Sequence, residues 1–555
     1  METIAHYRKI QKAIQQYEDR KDYDDVNYFL EKLIADEEHH VKLLKEVSGK
    51  EKSKGVTVQV MGKIIIQNGN MCELDLPLKF AQKLYQEFAI RHPNAFYLRT
   101  RQKGMQNWDG KIHYITKTGQ FKIGLLPMIY EKCIEYGIKP KVVDMRQPLP
   151  KVSKVVTKIG KYTLRPEQEK AVKAIINNTI GGKPFQIGVL DYTVNAGKTL
   201  IMSSLYLSYK KQLKTLLITN DSDWLNQARE EFKQYLPGEN ITFVQGKVLN
   251  WGNFTIGMVQ SISRNMGFYQ KELSQIDMVL IDEADQGGSK QYQNVITRLF
   301  NTRVRIGLSG TIYMSKLAKD KVKNMNLRCF FGNVLAEFKL KDSIRKGYST
   351  KTIVKMVPGK PWYGNWESDC ISYKEIYDDT ITENKIARKM ALARLKWNLS
   401  YGRYPALVVC KHIAHCENLY EFFKNRLGDA YNIAYVHVNT PTKLRQQIMK
   451  DFREGKIDIL VSTTIIARGK NFPKLRYLLN TASMDSQEKS IQFLGRLVRT
   501  DESKKKVYLD DLHYPGNYLN RHGKHRKQYY KRQELKVILL DKLWKNHPNH
   551  SLNRS

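Results

Sequence analysis

The chain has 555 residues, too many for one hydrophobic core, and 41% of them are apolar, enough to fill two to four. Lysine and arginine number 93 against 55 acidic residues, a net charge of +38 that is spread rather than confined to one arm, so the expected partner is nucleic acid; a capsid-like or ribosome-associated basic protein is the plainer reading of the same charge. No run of eighteen apolar residues occurs and METIAHYRKIQKAIQQYEDR lacks a secretory signal's apolar stretch, so a membrane-spanning or exported protein is excluded and a soluble cytoplasmic one is expected.

In chain order, residues 1–55 come first. Apolar positions at helical spacing (Ile10, Ile14, Tyr17, then Phe29, Leu33, Ile34) with a polar break at EDRKDYDD predict a helical hairpin, closed by the linker SGKEKSKG. Its protein partner, if it has one, is not legible. Over 56–150, the short apolar runs VTVQVM, KIIIQ and KIHYI and the helical patterns LKFAQKLYQEFAI and LPMIYEKCIEYGI predict a small α+β domain that binds the substrate. Between its helices lies RTRQKGMQNWDGKIHYI, where Arg99, Arg101, Lys103 and Lys111 crowd with Trp108 and an Asp109-Gly110 turn. Cations suit phosphates and rings suit bases, which makes Arg99, Arg101, Lys103 and Trp108 candidate nucleic-acid contacts; an ordinary exposed hairpin is the alternative.

After the Pro-marked connection Arg146–Pro150, strands and helices alternate. FQIGVL, TLLIT, FTIGMV, MVLID and VRIGLS fall in 151–345, and ALVVC, IAYVHV, DILVST and YLLN in 346–520. Apolar β-rich runs spaced by helical patterns predict two α/β domains with parallel sheets covered on both faces. A basic stretch, RHGKHRKQYYKRQ, then opens a C-terminal tail over 521–555.

Three motifs carry chemistry. YTVNAGKT follows a strand and opens a helix, the setting of a phosphate loop, although Tyr192 stands where G-x-x-x-x-G-K-[ST] wants its first glycine. Asn195 tolerates left-handed backbone angles, so Thr193, Asn195, Ala196, Gly197, Lys198 and Thr199 are candidate nucleotide ligands. The strand VLID ends in Asp282 and Glu283, one acid for Mg²⁺ and one to orient water, and the next strand ends in Ser309-Gly310-Thr311. In IQFLGRLVR, Gln492, Arg496 and Arg499 share one helical face and suit an arginine finger; a salt-bridged surface helix is the alternative. Six cysteines form no C-x-x-C pair, and the run Cys410-Lys-His412-Ile-Ala-His415-Cys416 straddles a strand end and a helix start, so no metal centre other than Mg²⁺ is expected.

The order LRPEQ, AGKT, Val259-Gln260-Ser261, DEAD, SGT, TTIIARG and QFLGRLVR resembles the superfamily 2 helicases and translocases, and within them the phage recombination and repair helicases of the UvsW type. The resemblance covers about residues 56 to 530. It implies two RecA-like motor domains and ATP hydrolysis with Mg²⁺. Lys198 would contact the β- and γ-phosphates, Thr199 and Asp282 would hold Mg²⁺, and Glu283 would polarise water. Gln492, Arg496 and Arg499 would close the site. Arg165 and Gln168 would lie on the adenine side, Ser309 and Thr311 would couple hydrolysis to the cleft, and Gln260, Ser261 and Thr463 would touch the nucleic-acid backbone. The implied activity is that of an ATP-dependent DNA helicase or translocase moving 3′ to 5′ on single-stranded and branched DNA in recombination, repair or replication, in a host cytoplasm if phage-encoded. DEAD is shared with RNA helicases, so RNA remains open, as does a restriction-type translocase subunit. A basic nucleic-acid-binding protein with a vestigial ATP site is the rival of another class.

Overall fold

The computed structural model describes residues 61–540 apart from 102–104, 194, 314–317, 360–371, 468–471, 486–489, 491–492, 496, 499 and 502–503. The hairpin expected over 1–55, most of the first strand-like run and residues 541–555 lie outside the described residues. No described helix is long and apolar enough to cross a membrane.

Residues 61–145 contain a four-stranded sheet in the order Gln120–Lys122, Met71–Asp75, Lys63–Ile66, Lys141–Asp144. Its outer pair Lys63–Ile66 and Lys141–Asp144 is parallel and the other pairings are antiparallel. Alternation in KIII and MCELD points Ile64, Ile66, Cys72 and Leu74 inward. The region around the basic-aromatic stretch carries a helix as well as the two strands of a hairpin. Arg99 and Arg101 stand on a short helix, Ala95–Arg101, inserted between the paired strands Ala89–Arg91 and Lys111–His113.

The first large sheet has eight strands. Its order is Val248–Leu249, Ile241–Gln245, Phe254–Met258, Thr215–Thr219, Met278–Asp282, Val304–Ser309, Gln186–Tyr192, Val334–Phe338, all parallel except the first pair. The run MVLID is buried along its whole length, as a strand covered on both faces must be.

The second has seven strands, all parallel, in the order Ile433–Val436, Ile459–Ser462, Ala406–Val409, Tyr477–Asn480, Lys506–His513, Lys351–Pro358, Lys536–Leu539. Leu407 and Val409 enter one core, Ala406 and Val408 the other, so helices cover both faces.

Residues 521–540 correct the expected tail. Asn517–Arg532 is a helix whose His522, Arg526, Tyr529 and Tyr530 are buried, and Lys536–Leu539 adds the sheet's edge strand beside Lys351–Pro358. Arg526 makes a two-pronged ion pair with the buried Asp511 (2.7 and 2.9 Å), and Tyr530 donates to the same carboxylate at 2.7 Å. The basic run expected as a tail is thus partly core, with Arg526, Tyr529 and Tyr530 buried.

The 61–145 region is fastened to the first large sheet. Gly69 N–H donates to the Phe300 carbonyl at 2.6 Å and Tyr114 Oη to Asn326 Oδ1 at 2.9 Å. A Cβ on Gly124 would stand 2.2 Å from the Arg328 carbonyl oxygen, so only glycine lets the two backbones approach so closely.

Candidate active site

The loop between the strand Gln186–Tyr192 and the helix Lys198–Ser208 is shaped by two left-handed residues, Asn195 (φ 64°) and Gly197 (φ 70°). Tyr192 is the last residue of the strand, not part of the turn. Its ring is buried and its hydroxyl donates to the Glu167 carbonyl at 2.7 Å. The missing glycine therefore falls at a position with extended backbone, where none is required. Thr193 N–H is spent on the Phe338 carbonyl at 2.9 Å. Beneath the loop, the buried Asp191 pairs with Lys339; burial raises its carboxyl pKa and the ammonium opposes the rise.

Arg165 and Gln168 hold the loop's backbone. Arg165 donates from Nη2 to the Asn195 carbonyl at 3.0 Å, and Gln168 from Nε2 to the Ala196 carbonyl at 2.8 Å. Glycine suits residue 197 for its left-handed φ, and a Cβ there would also lie 2.3 Å from Gln168 Nε2, displacing the amide that holds the loop. Arg165 also sits over the Tyr348 ring, 4.1 Å from its centroid. Tyr348 carried no signal in the sequence; it borders the loop only because the fold brings residue 348 back to residue 165.

Lys198, the first residue of the helix, reaches to 3.7 Å from Asp282 Oδ1 at the end of Met278–Asp282. That separation is an ion pair but not a hydrogen bond, and Asp282 Oδ1 is buried with no hydrogen-bond partner among the described residues. Burial raises the Asp282 pKa and Lys198 opposes the rise. Glu283 follows with φ 53°, and its carboxyl is pushed up to about 7, first by burial and then by the charges of Asp282 and Asp285.

An orphaned carboxylate oxygen beside an ammonium at a helix start fits a divalent cation and a phosphate chain. The Asn195 amide, with both polar atoms buried and unpartnered among the described residues, adds spare polar capacity at the loop. Thr199 follows Lys198 in the same first turn.

Ser309 Oγ donates to Asp285 Oδ1 at 2.7 Å, lies 3.0 Å from Thr311 Oγ1, and accepts from Thr311 N–H at 3.1 Å. The Ser-Gly-Thr turn is thereby tied to the last acid of DEAD. Gln260 and Ser261 open the helix Val259–Arg264, where Ser261 Oγ accepts from Gly246 N–H at 2.9 Å. Thr463, at the end of Ile459–Ser462, is buried and its N–H donates to the Val436 carbonyl at 3.2 Å.

Lys103, Gln492, Arg496 and Arg499 lie outside the described residues. Their described neighbours Phe493, Leu494, Leu497 and Val498 are buried in the second sheet's core. Arg99 and Arg101 are exposed, and Trp108 is half-buried with its indole N–H donating to the Lys111 carbonyl at 2.9 Å. The Cys410–Cys416 run is core: both thiols and the His415 ring are buried, burial holds His415 down to about 3, and Thr481 Oγ1 donates to Cys410 Sγ at 3.7 Å.

Two family models match. One, described as type III restriction enzyme, res subunit, covers residues 161–314; the other, helicase conserved C-terminal domain, covers 390–501. The chain is 23% identical over 383 residues to the protein designated helicase 22 of Sulfolobus islandicus filamentous virus, a stretch covering 64% of each. It is also 23% identical over 377 residues to the protein designated ATP-dependent helicase IRC3 of Saccharomyces cerevisiae, covering 63% of this chain and 51% of that one. It thus spans less than two thirds of either relative. Among solved structures it is similar to a fragment assigned to an HsdR subunit of a type I restriction enzyme from Vibrio vulnificus, at 16% identity and a TM-score of 0.51 over 69% of this chain and 70% of that one. It also aligns with T4 UvsW at 19% identity and a TM-score of 0.39, over 86% of this chain and 98% of that one.

Proposed function

Because the chain belongs to the superfamily 2 helicases, we propose that it hydrolyses ATP to move along one DNA strand, 3′ to 5′, and so separates or remodels branched DNA in recombination, repair or replication. The observation that carries the hydrolytic part is the convergence of Lys198 on Asp282, 3.7 Å away, with Glu283 next in line. Lys198 would neutralise the terminal phosphates, and Glu283, once ionised, would take a proton from the attacking water. The Thr199 hydroxyl and the unpaired Asp282 oxygen would hold Mg²⁺, which when bound supplies charge neutralisation at the phosphates. Arg165 and Gln168 would keep the loop in register while forming the base side of the site.

Gln492, Arg496 and Arg499 would act from the second domain, taken as 346–540, on nucleotide bound to the first, 151–345. Gln260, Ser261 and Thr463 would touch the strand's backbone, and the 61–145 region, with exposed Arg99 and Arg101, would read the fork. DNA is preferred to RNA on the resemblance to UvsW-type enzymes and on the restriction-subunit model over 161–314. Turnover measured without nucleic acid and with single-stranded DNA, forked DNA and RNA tests this. Stimulation by DNA, strongest with forks, is expected; stimulation by RNA alone would reassign the substrate, and no turnover under any condition would favour a vestigial site.

A further inference from the structure

A second hydrogen-bonded path, separate from Ser309, leaves the carboxylate cluster. At Glu283 the chain curls into the single turn Ala284–Gln286, with Gln286 N–H donating to the Glu283 carbonyl at 3.0 Å. The curl returns the Gln286 side chain to the acid three residues earlier, and Nε2 donates to Glu283 Oε2 at 2.8 Å. The carboxylate can only accept, so Nε2 must face it, and Oε1 is left to accept from Asn220 Nδ2. Asn220 directly follows the neighbouring strand Thr215–Thr219, and its own carbonyl accepts from Gln260 Nε2 at 3.4 Å. Gln260 Oε1 is buried with no partner among the described residues, which leaves one end of this amide ready for a new donor.

The links run from Gln260, at the start of Val259–Arg264, through two amides to the acid that orients water. The Asn220 and Gln286 side chains donate in the same sense, towards the carboxylate, so each bond polarises the next. We propose that Asn220 and Gln286 are positioning residues through which nucleic acid engaged at Gln260 controls Glu283, so that stimulation of ATP turnover by a single strand passes through this amide pair. The proposal rests on the reading of Glu283 and Gln260 given above. The Gln286 amide anchors one carboxylate oxygen, and any shift of Gln260 acts on the Asn220 backbone and hence on that anchor.

The test compares turnover with and without single-stranded DNA in the full chain and in Asn220→Ala, Gln286→Ala and the doubly substituted protein, each verified as folded by thermal melting. Both single variants are expected to bring the ratio of stimulated to unstimulated turnover close to one, and the double variant no lower, because residues of one path are not additive. The loss should fall on the DNA-stimulated kcat with the KM for ATP near its wild-type value; a merely structural pair would disturb stimulated and unstimulated turnover alike. If Gln286→Ala abolishes turnover, the ratio in Asn220→Ala decides. A wild-type ratio in folded, active Asn220→Ala overturns the proposal. Wild-type protein without turnover, or with turnover indifferent to every nucleic acid, overturns the functional reading beneath it instead.

Discussion

Arg305 donates from Nη2 to the side-chain oxygen of Asn70 at 2.7 Å, and both residues are buried. The same guanidinium donates to the Gly69 carbonyl at 2.6 Å and to the Phe330 carbonyl at 3.2 Å, so a cation in a central strand of the first large sheet is satisfied largely by the 61–145 region. A buried charge that loses its partners keeps its desolvation cost, which makes this contact structural as well as positional.

Asn70→Ala should therefore lower the stability of the full chain by about 1 to 3 kcal/mol, read from urea unfolding, since it strands a buried charged donor. A chain beginning at Val152 removes both partners and should unfold at lower urea than the full chain. An unchanged midpoint in the truncated protein would show that Arg305 finds other acceptors.

The second prediction concerns Tyr192. Its ring fills the core shared by Leu190, Tyr206 and Phe338, and its hydroxyl satisfies the Glu167 carbonyl. Tyr192→Gly, which would complete the phosphate-loop pattern, should not raise turnover; it should cost on the order of 3 to 5 kcal/mol in stability, as deletion of a buried ring does. Tyr192→Phe should cost about 1 kcal/mol, the typical worth of one buried hydrogen bond. Faster hydrolysis by a stable Tyr192→Gly protein would mean that the residue is a brake on the loop.

The third concerns pH. Burial and two neighbouring acids push Glu283 up to about 7, and a general base must be ionised to act. As pH falls through that value the carboxylate protonates, so kcat/KM, which reports the free enzyme's groups, should fall about tenfold per unit below it. Lys198→Ala and Glu283→Gln should each cut turnover by orders of magnitude, with Glu283→Gln still binding ATP. Turnover of Glu283→Gln near the wild-type rate, checked by phosphate release, would remove Glu283 from the chemistry.

The parallel strands were legible because each reads as an unbroken apolar run; FQIGVL, TLLIT and MVLID all appear as central strands. So was the fold class, since runs of that kind spaced by helical patterns have few other solutions. Other strands were not. The interior strand Lys506–His513 carries Asp510 and Asp511 in place of an unbroken apolar run, and the short edge strand Lys536–Leu539, KVIL, is masked by the run of cations before it. Asp510 and Asp511 are tolerated in the interior because Arg394 and Arg526 reach them from helices 116 and 15 residues away in sequence. Around the loop, Lys198, Asp282 and Glu283 were candidates readable from spacing, whereas Asn220 and Tyr348 meet the site only through contacts between distant parts of the chain and have no local pattern. Arg165 and Gln168 were readable as a pair, but their grip on the Asn195 and Ala196 carbonyls was not, because backbone acceptors leave no trace in side-chain identity.

The last prediction separates two aromatic roles in the 61–145 region. Trp108 is held inside its own turn: its indole N–H donates to the Lys111 carbonyl, its ring meets His92 edge-on at 5.7 Å, and Asp109 accepts from Lys111 N–H at 2.9 Å. A ring so engaged stabilises the turn and has little face to offer a base. Phe96, by contrast, is 80% exposed and Tyr97 55%, on the helix that also presents Arg99 and Arg101, with the Arg101 guanidinium 4.9 Å from the Tyr97 centroid. Exposed rings flanked by cations suit stacked bases and their phosphates. Trp108→Ala should thus lower the thermal midpoint, while Phe96→Ala should leave it unchanged and weaken binding of a forked DNA by about 1 to 3 kcal/mol. Replacing Arg99 and Arg101 together with Ala should flatten the log-log salt dependence of fork binding by up to about 2 units, because each phosphate that an arginine no longer neutralises lowers the slope by about 1. Fork titrations at several salt concentrations, paired with thermal melts of the same proteins, check all three. Loss of fork affinity in a Trp108→Ala protein that melts like the wild type would return the stacking role to Trp108.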